Sequence, residues 1–285
     1  MSYETEAGNV TKPDAAISAL AAPAFVESSK ALAHGHIVQL PSIATVKFNK
    51  DGSFTAEIQT ESGAYSFDSG DEFSQSAVSC TAQTYLHITK PTIQSERFSD
   101  GQFDDAKRAR LQGEALARKF DATWLALFSS ITNVVTATSI LTKDNLIDAQ
   151  YTVHNAMNMD KRLHVMLGRK GRNEVRKELT NTTATAFGLR ENLDLAIGKI
   201  QPNGFVGEFA DMLIFNTSGL PTTGGDNVQA VYDPEWAFGF AVDQTLRTRS
   251  QFVASGGMWT EIATWFFGNA CLWNDAAACK LRSDS

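Results

Sequence analysis

The sequence predicts an α+β fold, and three patterns along the chain indicate it. Within residues 35–90, the segments 43–48, 54–58 and 79–89 alternate apolar and polar side chains with the period of two that is typical of half-buried strands. Residues 99–131 repeat apolar side chains every three or four positions, as one long amphipathic helix does. From residue 140 onward, short helix patterns and short strand patterns follow one another. Because the chain has 285 residues, 43% of them hydrophobic, it can bury a substantial core.

The first 34 residues are interpreted as an N-terminal arm. They are rich in alanine and interrupted by Pro13 and Pro23, and one helix is predicted around residues 23–33. The polar, acidic residues 1–11 lack the basic and then apolar pattern of a secretory signal peptide. We therefore expect a short arm without a secretory leader.

An extended β-hairpin is predicted after the arm. Residues 43–48 and 54–58 alternate like strands on either side of residues 50–53, where an Asp-Gly pair favours a tight turn. The large apolar side chains between residues 49 and 77 are Phe54, Ile58, Tyr65, Phe67 and Phe73. A two-stranded ribbon is marginally stable alone, so we predict that these five side chains contact a neighbouring subunit. Residues 79–89 alternate again and are predicted to be a return strand.

One long helix is predicted from residue 99 to residue 131. Ser99 and Asp100 provide the N-cap, and Asp104 and Asp105 place negative charge where the helix dipole favours it. The apolar stripe of this helix consists of Phe103, Ala106, Ala109, Gly113, Leu116, Phe120, Trp124, Leu127 and Ile131. At 1.5 Å per residue the helix would span about 45 Å, well above the mean for globular proteins, which suits the spine of a flat molecule.

Shorter elements are predicted after this helix. Residues 141–158 form a helix that Thr142 opens, residues 162–168 form a strand, and residues 172–179 form a second helix. Residues 186–203 are predicted to be a loop or an insertion. This succession of short elements is typical of the compact part of an α+β protein.

The C-terminal part is also predicted to mix strands and helices. In order, its elements are a strand over 204–215, a turn over 219–227, a strand from 228 and a helix over 258–267. Asp233-Pro234-Glu235 is a candidate helix start, and Gly268 is the predicted cap of the helix before it. A hairpin over residues 270–281, turning at Asn274-Asp275, is predicted to close the chain.

Charge excludes one class of function and the hydropathy pattern excludes another. The formal net charge is −7, with 25 Lys and Arg against 32 Asp and Glu. This balance argues against a protein whose main task is to grip nucleic acid, and it suits a surface that nucleic acid passes without adhering. No apolar run approaches the roughly 20 residues of a membrane-spanning helix, so no membrane partner is expected.

The three cysteines, Cys80, Cys271 and Cys279, include no CxxC pair. Their odd number, without a secretory signal, indicates reduced thiols in a cytosolic product. In the predicted C-terminal hairpin, strand alternation puts Cys271 and Cys279 on opposite faces, which disfavours a disulfide between them. A turn one residue longer would remove this objection, so that pairing stays open.

Two clusters of potential metal ligands have simpler explanations. His34 and His36 would lie on one face of a strand, but no third ligand lies nearby in the sequence. Asp100, Asp104 and Asp105 could hold a divalent cation, although helix capping accounts for all three. The sequence also lacks a phosphate-binding glycine motif and a nucleophile elbow. We therefore assign no catalytic, cofactor-binding or metal-binding residue and expect no cofactor.

Basic residues concentrate between positions 161 and 177. They are Lys161, Arg162, Arg169, Lys170, Arg172, Arg176 and Lys177. A solvated strand-to-helix edge explains such a cluster, and a surface for nucleic acid or an acidic partner is the alternative. In a multimeric shell, Arg169, Lys170 and Arg172 would meet acidic residues of the extended β-hairpin of a neighbouring subunit. These three are our further candidate subunit contacts.

Aromatic side chains are concentrated near the C-terminus. Four of the five tryptophans are Trp236, Trp259, Trp265 and Trp273. Because they alternate or repeat at helical spacing among apolar neighbours, we predict that they form the core of the C-terminal domain. A ligand pocket or an interface is the alternative.

The order of these elements resembles that of the major capsid proteins of tailed bacteriophages. The resemblance covers nearly the whole chain and lies in architecture and loose patterns. The segments that carry it are residues 35–41 (GHIVQLP), 99–131 with 116–121 (LARKFD), 141–149 with 162–167, 204–209 with 216–221, and 267–271 (FGNAC). They are similar to the family's N-arm exit, spine helix, entry into the central part, strand-and-loop return, and C-terminal aromatic-Gly turn.

The resemblance implies a fold shared with herpesvirus capsids and encapsulins. Its parts would be an N-terminal arm (1–34), an extended β-hairpin E-loop with flanking strands (35–90), the spine helix of a peripheral domain (91–140), and an axial domain with returning peripheral-domain strands (141–285). The chain would be a structural protein, not an enzyme, forming hexamers and pentamers of an icosahedral shell around double-stranded DNA. Its location would be the virion, after assembly in the host cytoplasm.

The same resemblance implies partners besides further copies of the chain. They are a separate scaffolding protein, a portal protein, packaged DNA held by weak non-specific contacts, and decoration proteins. Two alternatives remain. An encapsulin-type nanocompartment would use the same fold to enclose an enzyme, and an unrelated α+β enzyme would form a small oligomer with a titratable pocket.

Overall fold

The fold is known from a computed structural model, which describes nine stretches of the chain. They are residues 14–40, 45–51, 75–90, 105–137, 140–181, 204–223, 226–243, 245–253 and 259–283. The helices in these stretches are α1 (Asp14–Ser28), α2 (Asp105–Ala126), α3 (Lys143–Met157) and α4 (Arg169–Asn181). Single 3-10 turns lie at Ala31–Ala33, Leu127–Ser130 and Asp275–Ala277.

The strands of the described residues form two larger sheets and a two-stranded ribbon. In chain order they are β1 (His36–Gln39), β2 (Thr45–Asp51), β3 (Gln75–Thr81), β4 (Gln83–Thr89), β5 (Val134–Ala137), β6 (Leu163–Leu167), β7 (Phe205–Phe209), β8 (Met212–Asn216), β9 (Thr222–Thr223), β10 (Asp226–Tyr232), β11 (Phe238–Val242), β12 (Arg247–Val253), β13 (Trp259–Leu272) and β14 (Ala278–Ser283).

The first sheet is organised around β13, which pairs antiparallel with three strands. Residues 259–265 pair with β12, residues 262–268 with β4 and residues 268–272 with β11, while β1 adds to β11 in parallel. One face of this sheet is covered by α1 and α2. The first core lies between them and is mainly aromatic, because rings from α1, α2, β11 and β13 interlock there. Its fully buried rings are Phe25, Phe120, Trp124, Phe128, Tyr232, Phe238, Phe240 and Phe266.

Close contact between α1 and α2 depends on Gly113. A Cβ atom at this position would lie 2.3 Å from the carbonyl oxygen of Ala21, so a larger residue would separate the two backbones. The end of α1 is held by Asp121 of α2, which accepts hydrogen bonds from Ser29 Oγ (2.9 Å) and from the amides of Lys30 and Ala31 (3.0 Å each). Burial raises the pKa of the Asp121 carboxyl although these hydrogen bonds oppose the shift.

The second sheet has the strand order β5-β14-β10-β6-β8-β7, with β9 paired to β10. Parallel pairs join β6 to β8 and β14 to β5, and the other pairs are antiparallel. Helix α3 buries Leu146, Ala149 and Val153 against this sheet and so forms the second core. Strand β6 is buried on both faces, since Val165 belongs to the second core and Met166 to the first.

The predicted long helix is confirmed within the described residues. Helix α2 covers 105–126 and continues as a 3-10 turn to Ser130, and its predicted stripe is buried at Ala109, Leu116, Phe120 and Trp124. The helix over 141–158 is confirmed as α3, where Thr142 and Asn145 form a capping box. The strand at 162–168 and the helix at 172–179 are confirmed as β6 and α4.

The prediction of a helix over residues 258–267 is wrong, because residues 259–267 belong to β13. Its buried side chains alternate, with Ile262, Thr264 and Phe266 inward. The predicted closing hairpin over 270–281 is also wrong. Leu272 pairs within the first sheet whereas β14 pairs with β10 and β5 of the second, so the turn at Asn274 connects two sheets.

Three smaller predictions are also corrected. Residues 204–215 form a hairpin rather than one strand, because Ala210 and Asp211 adopt positive φ values of 47° and 61° and reverse the chain. Asp233 starts a turn rather than a helix, since its carboxylate accepts a hydrogen bond from the Glu235 amide (2.8 Å). The N-terminal helix includes 14–28 and passes through Pro23, because packing of its apolar face against α2 outweighs the missing amide donor.

The predicted tight turn at residues 50–53 is wrong at its first two residues. Lys50 and Asp51 are strand residues of β2, paired with Ser76 and Gln75 of β3. The Asp-Gly signal is local, whereas pairing with β3 aligns seven residues along each strand. Residues 54–58, predicted to be the partner strand, lie outside the described residues, as does the loop predicted at 186–203.

Candidate subunit-contact surface

The ribbon of β2 and β3 is seated on the face of the first sheet opposite α2. Phe48 of β2 is buried above Gly239 of β11, where an added Cβ atom would lie 2.7 Å from the phenyl ring. The ring of Trp273 lies 5.6 Å from that of Phe48. Around Phe48, a third core forms from Leu40, Cys80, Ala82, Ala241 and Cys271. We call this part of the ribbon, packed on the first sheet through Phe48 and the third core, the ribbon root.

Polar contacts fix the position of the ribbon root. The Trp273 indole Nε1 donates a hydrogen bond to the carbonyl oxygen of Asn49 (2.9 Å), and the Asn269 side chain donates to the carbonyl oxygen of Thr81 (2.8 Å). Each contact joins the end of β13 to one strand of the ribbon. Thr81 pairs with Thr45 at one end of the ribbon, whereas Asn49 pairs with Ala77 near the other end. The two contacts therefore hold the ribbon along its length.

An exposed apolar strip continues the same sheet face beyond the ribbon root. Leu86 and Ile88 of β4 are 54% and 46% exposed, next to the half-buried Trp265 and Ala263 of β13. Their alternation with Tyr85, which is buried in the first core, shows that Leu86 and Ile88 point away from α2. Contiguous exposed apolar side chains on a sheet face are typical of a contact surface.

The predicted return strand over 79–89 contains a break that explains this exposure. The sequence pattern placed Cys80, Ala82, Thr84, Leu86 and Ile88 on one side, but the two ends of this series differ in burial. Cys80, on ribbon strand β3, and Ala82 are buried in the third core, whereas Leu86 and Ile88 are exposed. Ala82, between β3 and β4, is where the chain passes from ribbon to sheet.

The predicted contact residues fall into two groups. Phe54, Ile58, Tyr65, Phe67 and Phe73 lie outside the described residues, and their contacts stay a prediction. Arg169, Lys170 and Arg172 lie on the first turn of α4, the first two exposed and the third half-buried. Their role as subunit contacts also stays a prediction.

The basic cluster is partly neutralised within the chain. Lys161 Nζ lies 2.8 Å from Glu235 Oε2, and the hydrogen bond and charge of that carboxylate raise the pKa of Lys161. Arg162 pairs with Glu208. The strand end of the cluster is therefore satisfied locally, while Arg169 and Lys170 present charge to solvent.

The suggested histidine pair does not exist as a metal site. His34 lies before β1, is fully buried and contacts Tyr232 and His164, whereas His36 is exposed and packs near Phe48. Within the described residues, no group of three or more histidine, cysteine or acidic side chains could hold a metal ion. The Asp100 and Asp104 cluster falls outside these residues, as does the side chain of Asp105.

His34 and His164 form a buried polar network between the two cores. His34 Nδ1 lies 2.8 Å from the Tyr232 hydroxyl and 3.1 Å from His164 Nδ1, and its ring stacks on Trp124. Burial, with a smaller effect of His164 and Lys30, lowers the pKa of His34 to about 3. Burial and the charge of Arg162 lower the pKa of His164 to about 4. Both imidazoles are therefore neutral at physiological pH.

The prediction that the C-terminal tryptophans form a core is wrong for the three whose side chains the structure describes. Trp236, Trp265 and Trp273 are half-buried on the margins of the first sheet, and the fully buried tryptophan is Trp124 of α2. Trp273 instead belongs to the ribbon root. Period-two patterns identify strand residues but not which face of a sheet is covered, so the sequence did not reveal this role.

No helix within the described residues has the length and apolarity needed to cross a membrane. No protein-family model matches the chain, and no curated protein sequence matches it. Comparison with solved structures is informative, since several shells match over most of their length.

Three of these structures illustrate the likeness. The capsid of the native GTA particle is 14% identical, with 90% of this chain and 91% of that chain covered and a TM-score of 0.66. The capsid of cyanophage P-SCSP1u is 13% identical, with coverage of 88% and 86% and a TM-score of 0.63. The SrpI encapsulin complex from Synechococcus elongatus PCC 7942 is 8% identical, with coverage of 88% and 86% and a TM-score of 0.61.

At these identities the likeness establishes the fold. The predicted α+β class and the architectural resemblance are confirmed at that level, with helix and strand mixed along most of the chain. The chain has the subunit fold that phage capsids and an encapsulin share.

Proposed function

We propose that this chain is the major capsid protein of a tailed bacteriophage, assembling as hexamers and pentamers into an icosahedral shell around double-stranded DNA. The observation that carries the proposal is the fold, which matches capsid subunits over about nine-tenths of the chain. The net charge of −7 supports an enclosed genome held by weak, non-specific contacts. A structural role requires no catalytic residue.

Two kinds of subunit contact are proposed, one apolar and one between charged side chains. Residues 52–74 of one copy would reach a neighbour's exposed strip at Leu86 and Ile88, which is open in the single chain. The five apolar side chains predicted for that arm would then be buried against apolar side chains. Arg169, Lys170 and Arg172 would meet acidic side chains of an adjacent copy, adding specificity more than affinity.

The parts of the chain are assigned accordingly. Residues 1–34 would be the N-terminal arm, 35–90 the E-loop with its flanking strands, 91–140 the spine helix, and 141–285 the axial domain with returning peripheral-domain strands. The pairing of β4 with β13 supports the return of C-terminal strands to the peripheral domain, because it joins residues 83–89 to residues 262–268. A scaffolding protein, a portal and decoration proteins would be the partners, and the virion the location after assembly in the host cytoplasm.

Electron microscopy of the expressed full chain tests the shell. Closed particles of uniform size are expected, together with free capsomers when assembly is incomplete. A discrete oligomer of a few copies at every concentration and salt condition would contradict the proposal. Nuclease-protected DNA in particles from the native source is the further expectation for a capsid.

The exposed strip gives a sharper test of assembly. Leu86→Asp should leave the subunit folded, since this side chain is 54% exposed, but should abolish closed particles. Leu111→Asp is a matched control, because Leu111 is 51% exposed on α2, on the other side of the first sheet. Circular dichroism establishes folding and negative-stain microscopy scores the particles. Normal particles from Leu86→Asp would contradict this use of the strip.

An encapsulin-type nanocompartment is the second candidate, supported by the likeness to the SrpI encapsulin complex. It differs in what it encloses, because its cargo would be a protein rather than DNA. Mass spectrometry and the ultraviolet spectrum of purified native particles separate the two candidates. A co-purifying enzyme without nucleic acid would favour the nanocompartment.

A further inference from the structure

Cys80 and Cys271 lie opposite each other where the chain leaves the first sheet. Strand β4 runs antiparallel to β13 with Gln83 opposite Gly268. Cys80 lies three residues before Gln83, across the break at Ala82, and Cys271 lies three residues after Gly268. The side chain of Asn269 donates to the carbonyl oxygen of Thr81, so the two strands stay adjacent after the ladder ends.

Burial and bonding place the two thiols together. Cys80 is 2% exposed and Cys271 9% exposed, and both belong to the third core beneath the ribbon. Interaction between the two thiols lowers the pKa of Cys80 and, together with burial, raises that of Cys271. Cys271 Sγ also donates a hydrogen bond to the carbonyl oxygen of Gly239 (3.5 Å). Phe48, on the ribbon face that also carries Cys80, packs on Gly239, the pairing partner of Cys271. The side chains of Cys80 and Cys271 therefore enter the third core from its two facing layers, where sulfur atoms can approach each other.

We propose that Cys80 and Cys271 are a thiol pair that oxidation converts to a disulfide, joining the ribbon root to β13. The oxidant is a small-molecule disulfide such as oxidised glutathione. This inference does not depend on the proposed shell function, because it concerns a bond within one chain.

The chemistry is two successive thiol–disulfide exchanges. The Cys80 thiolate attacks one sulfur of oxidised glutathione, forming a mixed disulfide and releasing one glutathione thiolate, which takes up the proton that Cys80 lost. Cys271 then loses its proton and attacks the Cys80 sulfur, releasing the second glutathione. Two protein thiols are oxidised and one glutathione disulfide is reduced to two thiols.

Cys279 is excluded from this pair by its position. It lies in β14 of the second sheet, fully buried in the second core, and its Sγ donates weakly to the carbonyl oxygen of Lys280. Cys80 and Cys271 share the third core and are separated from Cys279 by the fold. Cys279 therefore serves as the matched control cysteine.

Burial makes the exchange slow in the native chain, since the ribbon root must open for glutathione to enter. Once formed, the disulfide closes a loop of roughly 190 residues and restricts the unfolded chain. The oxidised chain should therefore unfold roughly 5–10 °C higher than the reduced chain. The bond also prevents the ribbon root from separating from β13.

Peptide mapping of the full chain tests the proposal. Wild type and Cys279→Ser are incubated in glutathione buffers of increasing oxidation, both as native protein and during refolding from denaturant, then alkylated and digested without reduction. A peptide pair joining Cys80 to Cys271 is expected in both chains and should disappear in Cys80→Ser and Cys271→Ser. Its absence from both the native and the refolded samples, or preferential linkage of Cys279, would overturn the proposal.

Discussion

Acidification should destabilise the subunit through the buried His34–His164 pair. The pKa values of about 3 and about 4 lie well below the ordinary value of 6.5, mainly because both rings are removed from water. Nearby positive charge adds to the effect, from His164 and Lys30 on His34 and from Arg162 on His164. Because each pKa is lower in the native subunit than in the unfolded chain, the stability that depends on the two rings being neutral is complete above pH 6.5. It is lost as the pH falls, and the loss ends only below about pH 3, under both native pKa values.

The size of the effect follows from proton uptake on unfolding. At pH 5 both histidines are neutral in the native subunit, whereas both are protonated in the unfolded chain. Each proton contributes about 1.4 kcal/mol per pH unit to the loss of unfolding free energy. At pH 5, 1.5 units below the ordinary pKa, this amounts to about 2 kcal/mol for each histidine and about 4 kcal/mol for both.

Urea unfolding of the unassembled subunit, followed by tryptophan fluorescence between pH 7.5 and pH 5, measures this dependence. The wild type should lose about 2.7 kcal/mol per pH unit from these two groups near pH 5.5. His164→Asn removes one of the two protons and should reduce the slope by about half. His36→Asn is the matched control, because His36 is exposed and outside the network.

Equal pH slopes for wild type and His164→Asn would refute this reasoning. Such a result would mean that His164 is protonated in the native subunit or that water enters the network. A reduced slope in His36→Asn of the same size would likewise assign the proton uptake to general charge effects. The expected order is therefore a steep slope for wild type and His36→Asn, and a shallower slope for His164→Asn.

Three further predictions concern stability and are measured by the same urea unfolding. Asp121→Ala should lower the free energy of unfolding by about 2–4 kcal/mol, because it leaves buried donors at the end of α1 without their acceptor. Asp121→Asn keeps one acceptor oxygen and should lower it by less. Equal decreases for the two variants would contradict the capping role. Gly113→Ala should lose about 1–3 kcal/mol through the clash with the Ala21 carbonyl, and a neutral result would mean that α1 moves away at little cost. Phe266→Ala should lose about 3–5 kcal/mol and Trp265→Ala clearly less, since only Phe266 is fully buried; the reverse order would contradict the strand assignment of β13.

The long helix and the helix at 143–157 could be predicted from the sequence because their signals are local. The apolar stripe from Ala109 to Trp124 repeats at helical spacing, and the same residues are buried. Thr142 caps its own helix through Asn145, three residues away. Neither signal depends on a distant part of the chain.

Strand β13 could not be predicted because its apolar residues have the spacing of a helix, whereas tertiary packing makes the segment a strand. Trp259, Ile262, Ala263, Phe266 and Phe267 repeat at the spacing of a helix. In the fold, the buried series includes Thr264, a polar residue whose hydroxyl donates a hydrogen bond to Gln112 Oε1 of α2 (2.8 Å). A polar residue in the buried series hides the period of two until its partner from another element is known.

The need of the ribbon for another surface could be predicted from the sequence, but the surface on which it packs could not. A ribbon with few apolar side chains indicated that another surface must cover it. The ribbon root, however, brings together Phe48, Gly239 and Trp273, which are distant in sequence. The exposed strip depends on the break at Ala82, which a continuous alternating pattern does not show.

The two faces of the first sheet explain why a subunit of this kind would assemble. One face is filled by α1 and α2, whose aromatic side chains complete the first core within a single chain. On the other face, the part of the chain that the structure describes provides cover at the ribbon root and leaves Leu86 and Ile88 exposed. Because burial of apolar surface is the main driving force of association, the open part of this face favours a contact between copies. In the proposed shell, residues 52–74 of a neighbouring copy would supply that contact.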